Sequence, residues 1–328
     1  MTRRLLLSAR TRAELGDKIV AAGAGHGLEL LSLEDAAADE AQTAHAVFIS
    51  RDVTGLSTKH EVHEPLAGCY RVIRRSPELV WVHTHSAGAD RPIYAELRQR
   101  GVSVSTSAGS NAEVVAQTAL GAVLALSRRF PQLLAAQQRH EWAPLIAGPA
   151  PPDLAGQTVV LVGWGAIAQH LQPWLAMLRL NVIVVRHSAE PAGPGIETVR
   201  YGGLASVLPR AQWLLLACPL SDATRRLVDA AALALLPRGA MLVNVARGEI
   251  ADEAAVVEAL RSGHLGGAFL DVFEHEPLPR ESPLWALPNT VVTPHAASHA
   301  AGNAARAAAI FIDNLGRWLR HEPLLNPV

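Results

Sequence analysis

The segment VVLVGWGAIAQH, residues 159–170, limits what this chain can fold into more than any other. A short apolar, β-branched run stops at two glycines and passes directly into residues of helical period, which reads as strand, tight turn, helix. The spacing Gly163-x-Gly165-x-x-Ala168 gives such a turn a physical purpose. Gly163 permits the sharp turn, Gly165 lets a phosphate-bearing ligand approach the backbone, and Ala168 keeps helix and strand close. The helix N-terminus that follows attracts negative charge. Trp164, between the glycines, is expected to point away from the turn. A tight turn without ligand is the alternative, and its surroundings decide between the two.

Those surroundings are a doubly wound pattern. After residue 157 the runs VVLVG, NVIVV, WLLLAC, AMLVNV, GGAFLD and VVTP predict six strands with helices between them. Before it, LLLSA, AVFIS, LVWVH and VSVST alternate with helical segments such as IYAELRQR and predict a separate α/β unit. Between the two lie a long helical stretch, AEVVAQTALGAVLALSRRF, and a Pro- and Gly-rich linker, PLIAGPAPPDLAG. The Ala-rich SHAAGNAARAAAIFIDNLGRWLR predicts one long closing helix. A chain of 328 residues accommodates two cores of ordinary size.

Composition narrows the partners. With 49% hydrophobic residues, 18% charged residues and a formal net charge of −1, the chain reads as a soluble globular protein with no electrostatic bias toward nucleic acid or membrane. Two cysteines cannot build a disulfide framework, and the opening apolar run is short for a signal peptide or span, so the cytoplasm is the expected location. The partner is expected to be a small molecule. His83, His85, His187 and His299 lack metal-ligand spacing, and no metal is expected.

Three polar residues stand just beyond predicted strands: Arg247 in VNVARGEI, Glu276 in DVFEHEPLP and His295 in VVTPHAAS. All should emerge at one edge of a parallel sheet, where open α/β proteins bind ligands. Taken singly, each has a plain structural explanation as an ion pair, a loop carboxylate or a hydrogen-bonded histidine. Together they form a set suited to reduction of a 2-oxo acid: a planar cation for a carboxylate, an imidazole to give the proton, and a carboxylate to fix its tautomer.

The Gly-rich turn, the NxxRG step, the DVFExEPLP step and the TPH step, in that order and through to NLGRWLRHEPLLNPV, resemble the D-isomer-specific 2-hydroxyacid dehydrogenase family. The resemblance implies an α/β fold with two Rossmann-like domains, a parallel-sheet NAD(P)-binding domain at 112–296 inserted into a flavodoxin-like substrate-binding domain at 1–111 and 297–328. The reactive cleft would lie between them. It implies catalytic Arg247, Glu276 and His295. Cofactor contacts would come from Gly163, Gly165, Ala166, Ile167, Cys218, Pro219, Thr224, Val245, Ala246, Arg247, Asp271, His295 and Ala297. Of these, the CPLSDAT turn would cover the adenine and Asp271 would meet the nicotinamide carboxamide. Cys218 reads as a packing residue and not a nucleophile. Substrate carboxylate would fall to Ser86, Ala87 and Gly88 in HTHSAGAD, with Arg247 and His295; a strand-to-helix turn capped by Asp90 is the alternative for that loop. Ser50 and Arg51, after AVFIS, are further polar candidates. The family also implies a homodimer through the region 112–156.

At the end of NVIVV, where an NAD site usually carries an acidic residue, stand Arg186, His187 and Ser188. A guanidinium and a hydroxyl suit the 2′-phosphate of NADP, so NADP is the expected cofactor with NAD possible; a solvated strand-end charge is the alternative. The reaction expected is interconversion of 2-oxo and D-2-hydroxy acids, mainly reduction of small substrates such as glyoxylate or hydroxypyruvate. A non-catalytic nucleotide sensor resembling a corepressor, or a phosphite-type dehydrogenase, are alternatives on the same scaffold. Departures from the family pattern are Ala168 for a third glycine, Gln117 for a common glutamate and Ala300 for a common threonine; none removes a group of the trio.

Overall fold

The computed structural model describes residues 2–35 and 38–328 and divides into two compact units, one comprising the chain up to Asn111 together with Ala300–Val328, the other Ala112–His299. Among its described residues the first unit holds five strands, β1 Arg3–Leu7, β2 Leu28–Ser32, β3 Ala46–Ile49, β4 Trp81–Thr84 and β5 Ser103–Thr106. All pair in parallel in the order β2-β1-β3-β4-β5, the flavodoxin-like arrangement. One strand more than the sequence predicted is present. The LELLS run of β2 lies at the sheet edge with its first residues half-buried, so its apolar signal is weak.

Side chains of β1 alternate between the two faces. Leu6 packs with Val47, Val82 and Leu97 on one side; Leu5 and Leu7 pack with Phe48, Trp81 and Phe311 on the other. Phe311, Leu315 and Leu319 come from the closing helix, Asn303–Leu319, which therefore belongs to the first core. That helix starts later than the Ala-rich sequence predicted. The N–H groups of Ala296 and Ala297 are bound to the Asp271 carboxylate, which holds this stretch in a turn until Gly302.

The second unit carries β6 Thr158–Val162, β7 Asn181–Arg186, β8 Glu197–Arg200, β9 Trp213–Leu216, β10 Ala240–Asn244, β11 Leu265–Leu270 and β12 Thr290–Val292. The order is β12-β11-β10-β9-β6-β7-β8, parallel throughout. Seven strands replace the predicted six, because ETVR adds an edge strand with no buried residue to announce it. Central β6 is buried on both faces: Val160 and Val162 enter one core cluster, Val159 and Leu161 the other. Helices on both sides explain its unbroken apolar run.

The long helix is also two helices, Ala112–Ser127 and Phe130–Gln138, separated by Arg129 in the left-handed conformation at φ 57°. Pro131 has no N–H to carry the ladder through that point. No helix among the described residues is long and apolar enough to cross a membrane.

Candidate active site

Every predicted residue of the trio stands at the C-terminal edge of the second sheet, and the backbone there is held by side chains. After β10, Asn244 donates from Nδ2 to the Arg247 carbonyl at 3.0 Å and accepts the Ala246 N–H at Oδ1 at 3.1 Å. Both ends of this buried amide are used, so the NxxRG spacing is a clamp that fixes where Arg247 leaves the sheet. Gly248 completes it. A Cβ at Gly248 would run into the backbone of Phe273 and Glu274, so only glycine lets the Arg247 turn and the 271–276 loop abut. Glu253 and Glu274 bond each other's backbone N–H, at 3.1 and 3.2 Å, and tie that loop to the following helix. Burial raises the Glu253 carboxyl above its ordinary range, and the neighbouring Glu274 adds to this.

After β11, Asp271 is buried and organises the histidine turn. Its Oδ1 accepts from Thr293 Oγ1 at 2.6 Å and from the Ala296 and Ala297 N–H groups at 2.8 and 3.1 Å; Oδ2 accepts from Ala297 at 3.0 Å. Burial raises its carboxyl above the usual range against the pull of these donors. His295 itself has φ 51°, costly for a side-chain-bearing residue by about 1–2 kcal/mol. The turn is held because the His295 N–H bonds the Asp271 and Thr293 carbonyls at 2.8 and 3.0 Å. Strain of this kind persists only where neighbours over-determine the conformation.

The outcome is a short His295 Nδ1 to Glu276 Oε2 contact of 2.8 Å. Glu276 is buried, with Oε1 accepting the Phe273 N–H at 3.2 Å, whereas the His295 side chain is 45% exposed. An ionised carboxylate only accepts, so Nδ1 donates to it and Nε2 is the position left for exchange with a ligand. Arg247 is half-buried, with Nη1 donating to the Ala246 carbonyl at 2.7 Å.

The Gly-rich turn fits a dinucleotide. Gly163 has φ 105°, and a Cβ there would lie 2.7–2.8 Å from the Ala217 and Cys218 backbone. The turn thus nests against the CPLSDAT loop in a way open to glycine alone. Gly165 and Ala166 are exposed, Ile167 is half-buried, and Gly165 opens onto space with nothing within 4 Å, room for backbone to meet a pyrophosphate at the start of the helix Ala166–Met177. Ala168 is fully buried against the β6 face, and Trp164 packs partly buried beside it. At the end of β7, Arg186 Nε and Ser188 Oγ are buried without a hydrogen-bond partner, beside the exposed His187. Such orphaned groups are rare unless a ligand or water completes them.

The same edge identifies this chain when it is compared with known proteins. Residues 120–297 match the family model described as D-isomer specific 2-hydroxyacid dehydrogenase, NAD binding domain. The chain belongs to this family. It is 34% identical over 253 residues to the (S)-sulfolactate dehydrogenase of Chromohalobacter salexigens, covering 76% of this chain and 80% of that one. It is 34% identical over 252 residues to glyoxylate/hydroxypyruvate reductase B of Citrobacter koseri, covering 74% and 76%. A D-isomer specific 2-hydroxyacid dehydrogenase from Xanthobacter autotrophicus Py2, solved in complex with NADPH and MES, superposes with a TM-score of 0.77 at 29% identity, over 100% of this chain and 98% of that chain. The enzyme is an oxidoreductase of CH–OH donors that uses a nicotinamide cofactor.

Some expected contacts are otherwise occupied. Thr224 is fully buried, its hydroxyl donating to the Pro219 carbonyl at 2.7 Å and accepting the Ser221 N–H at 2.8 Å, so it shapes the CPLSDAT turn from within. Pro219 is the exposed residue of that turn. Cys218 is buried, and burial pushes its thiol up to about 12, consistent with packing. Val245 and Ala246 are buried. Ala297 has both backbone groups engaged, its N–H on Asp271 and its carbonyl accepting from Thr118 Oγ1 at 3.1 Å. In the first unit the Ser86 N–H goes to Thr84 Oγ1 at 3.3 Å, which occupies one of the backbone donors expected of that loop. Asn244 and Thr293 were not anticipated. Their signal was present as the first letter of NxxRG and of TPH, and only the loop geometry shows what those letters do.

Proposed function

We propose that the enzyme is an NADPH-preferring reductase of small 2-oxo acids, with glyoxylate and hydroxypyruvate as its simplest substrates. The observation that carries the cofactor preference is the pair of buried, unpartnered donors at the end of β7, Arg186 Nε and Ser188 Oγ, where a 2′-phosphate would complete both. The reductase named for Citrobacter koseri and the Xanthobacter complex with NADPH support the same reading.

When bound, the cofactor supplies the hydride equivalent, and the protein supplies the rest. Arg247 pairs with the substrate carboxylate through its planar fork and polarises the carbonyl at C2. His295 Nε2 gives the proton to the developing alkoxide in reduction and takes it back in oxidation. Glu276 holds the imidazole in the tautomer and orientation this needs, and Asp271 holds the turn that presents it. Ala87 and Gly88 add backbone N–H groups to the carboxylate. A homodimer through 112–156 has support in the apolar surface of that segment, where Trp142 is 94% and Ile146 92% exposed.

The test is loss of reduced-cofactor absorbance with NADPH and NADH in parallel, over glyoxylate, hydroxypyruvate, pyruvate and bulkier 2-oxo acids, in the natural protein and in Arg186→Ala. Turnover with NADPH favoured is expected. Arg186→Ala should lower the NADPH:NADH ratio of kcat/KM by roughly tenfold or more, as loss of one charge-assisted phosphate contact of about 1.4 kcal/mol would. Equal losses with both cofactors would remove Arg186 from the phosphate site.

A further inference from the structure

At the end of β7 the Arg186 guanidinium divides its nitrogens. Nε is buried and without a partner, whereas Nη1 donates to the Glu190 carbonyl at 3.4 Å and Nη2 lies 3.9 Å from the Glu190 carboxylate. Among the described residues Glu190 is the carboxylate that pairs with this cation. The two partners differ in freedom. The Arg186 side chain is 19% exposed and that of Glu190 81%, so the cation is seated in the protein and the carboxylate can swing into solvent.

The sequence brings Glu190 back to this point. Between β7 and β8 the chain runs through HSAEPAGPGI, residues 187–196, and Pro191 biases Glu190 before it toward extended backbone. Gly195, at φ 73°, takes the chain round. The Ala192 N–H then donates to Thr198 Oγ1 at 2.9 Å, and Thr198 stands in register with Val184 of β7. The loop is thus tied down alongside the strand it left, and Glu190 returns over Arg186. The resulting pair is a poor one. A well-formed guanidinium–carboxylate contact closes to about 2.7–2.9 Å, often through two parallel bonds. Glu190 stands well outside that range and leaves Nε and the Ser188 hydroxyl unmet. A phosphate carries more charge and three acceptor oxygens, enough to meet all of these donors together.

We propose that Glu190 is the resident counter-ion of the 2′-phosphate subsite. A 2′-phosphate binds by taking Arg186 from it, and Glu190 thereby limits how strongly the enzyme prefers NADP over NAD. The inference rests on the NADPH reading and adds the residue that holds that preference down. A ribose hydroxyl brings no charge to exchange, so NAD leaves the pair in place.

The experiment uses two fragments that differ by the phosphate alone, 2′,5′-ADP and 5′-AMP. Each is titrated calorimetrically into the natural protein, Glu190→Gln, Arg186→Ala and the double variant. Glu190→Gln should raise the preference for 2′,5′-ADP over 5′-AMP by roughly two- to fivefold, the range of a partly exposed ion pair. That gain should be lost when Arg186 is already alanine, since the two residues act as one. An unchanged preference in Glu190→Gln, with a lowered one in Arg186→Ala, overturns the exchange and leaves the NADPH reading standing. An equal gain with and without Arg186 also overturns it, because plain repulsion between carboxylate and phosphate needs no arginine. If Arg186→Ala leaves the preference unmoved, the phosphate is not read at β7, and the exchange falls together with that reading.

Discussion

The C-terminal edges of the two sheets are built on different plans. In the second unit, side chains are spent on backbone: Asn244 on the Arg247 turn, Asp271 on the histidine turn, Thr224 on the CPLSDAT turn, Glu276 on Phe273 as well as His295. In the first unit, the side chains after β3 and β4 meet one another, His85 Nε2 with the Thr54 and Ser86 hydroxyls. The difference teaches a division of labour. Proton transfer tolerates little misplacement of the donor, so its edge is pinned by short bonds to backbone. At the first edge, hydroxyl and imidazole contacts among the loops are enough to shape it.

The largest test of that division falls on the pinned edge. His295→Ala should lower kcat by about 10²–10⁴-fold, the usual range for a general acid, while cofactor binding followed by fluorescence changes by no more than a few-fold. Near-normal turnover in this variant would remove His295 as the proton donor and dissolve the contrast between the edges.

A smaller effect separates His295 from the buried histidine of the first sheet. His83 is fully buried among Phe48, Trp81 and Phe311, with its ring nitrogens 2.8 and 3.0 Å from Ser105 and Ser107 hydroxyls. Burial pushes it down to about 3, with a further contribution from His85. Its folded value lies below its unfolded value near 6.5, so the folded state binds fewer protons. The stability linked to neutral His83 is complete above about pH 6.5 and drains away as pH falls toward about 3, by roughly 1.4 kcal/mol per pH unit. Urea unfolding at pH 7, 6 and 5 should show that slope, and His83→Gln should flatten it. Parallel slopes for the two proteins would mean His83 is not a buried neutral group.

The second sheet's edge was legible in the sequence because the Gly-rich turn, the Arg247 turn and Asp271 closely follow buried runs, whereas His295 follows the half-buried edge strand β12. β6, β10 and β11 announce themselves by unbroken apolar stretches, and the letters after them are then fixed in space. What sequence could not give was the purpose of the letters between. Asp271 resembles a ligand contact in DVFEHEP, and only its four bonds to Thr293, Ala296 and Ala297 show that it builds the histidine turn. The same capture explains why an Ala-rich stretch fails to become helix before Asn303. The internal bonds of Thr224 and Ala297 were not legible, because adjacency to a site in sequence does not say which way a buried hydroxyl or N–H is spent. Edge strands β2 and β8 escaped notice because β2 starts half-buried and β8 has no buried residue, so both carry a weak apolar pattern. The contacts of His85 were the least legible, since Thr54 and His85 lie on separate loops and only the parallel pairing of β3 with β4 brings them together.

A crystal structure of the enzyme with NADP and D-malate would test this division of labour most directly. The account predicts the 2′-phosphate on Arg186 and Ser188, the C1 carboxylate on Arg247 and the C2 hydroxyl on His295 Nε2. A hydroxy acid bound with C2 away from His295, its carboxylate not on Arg247, would contradict it.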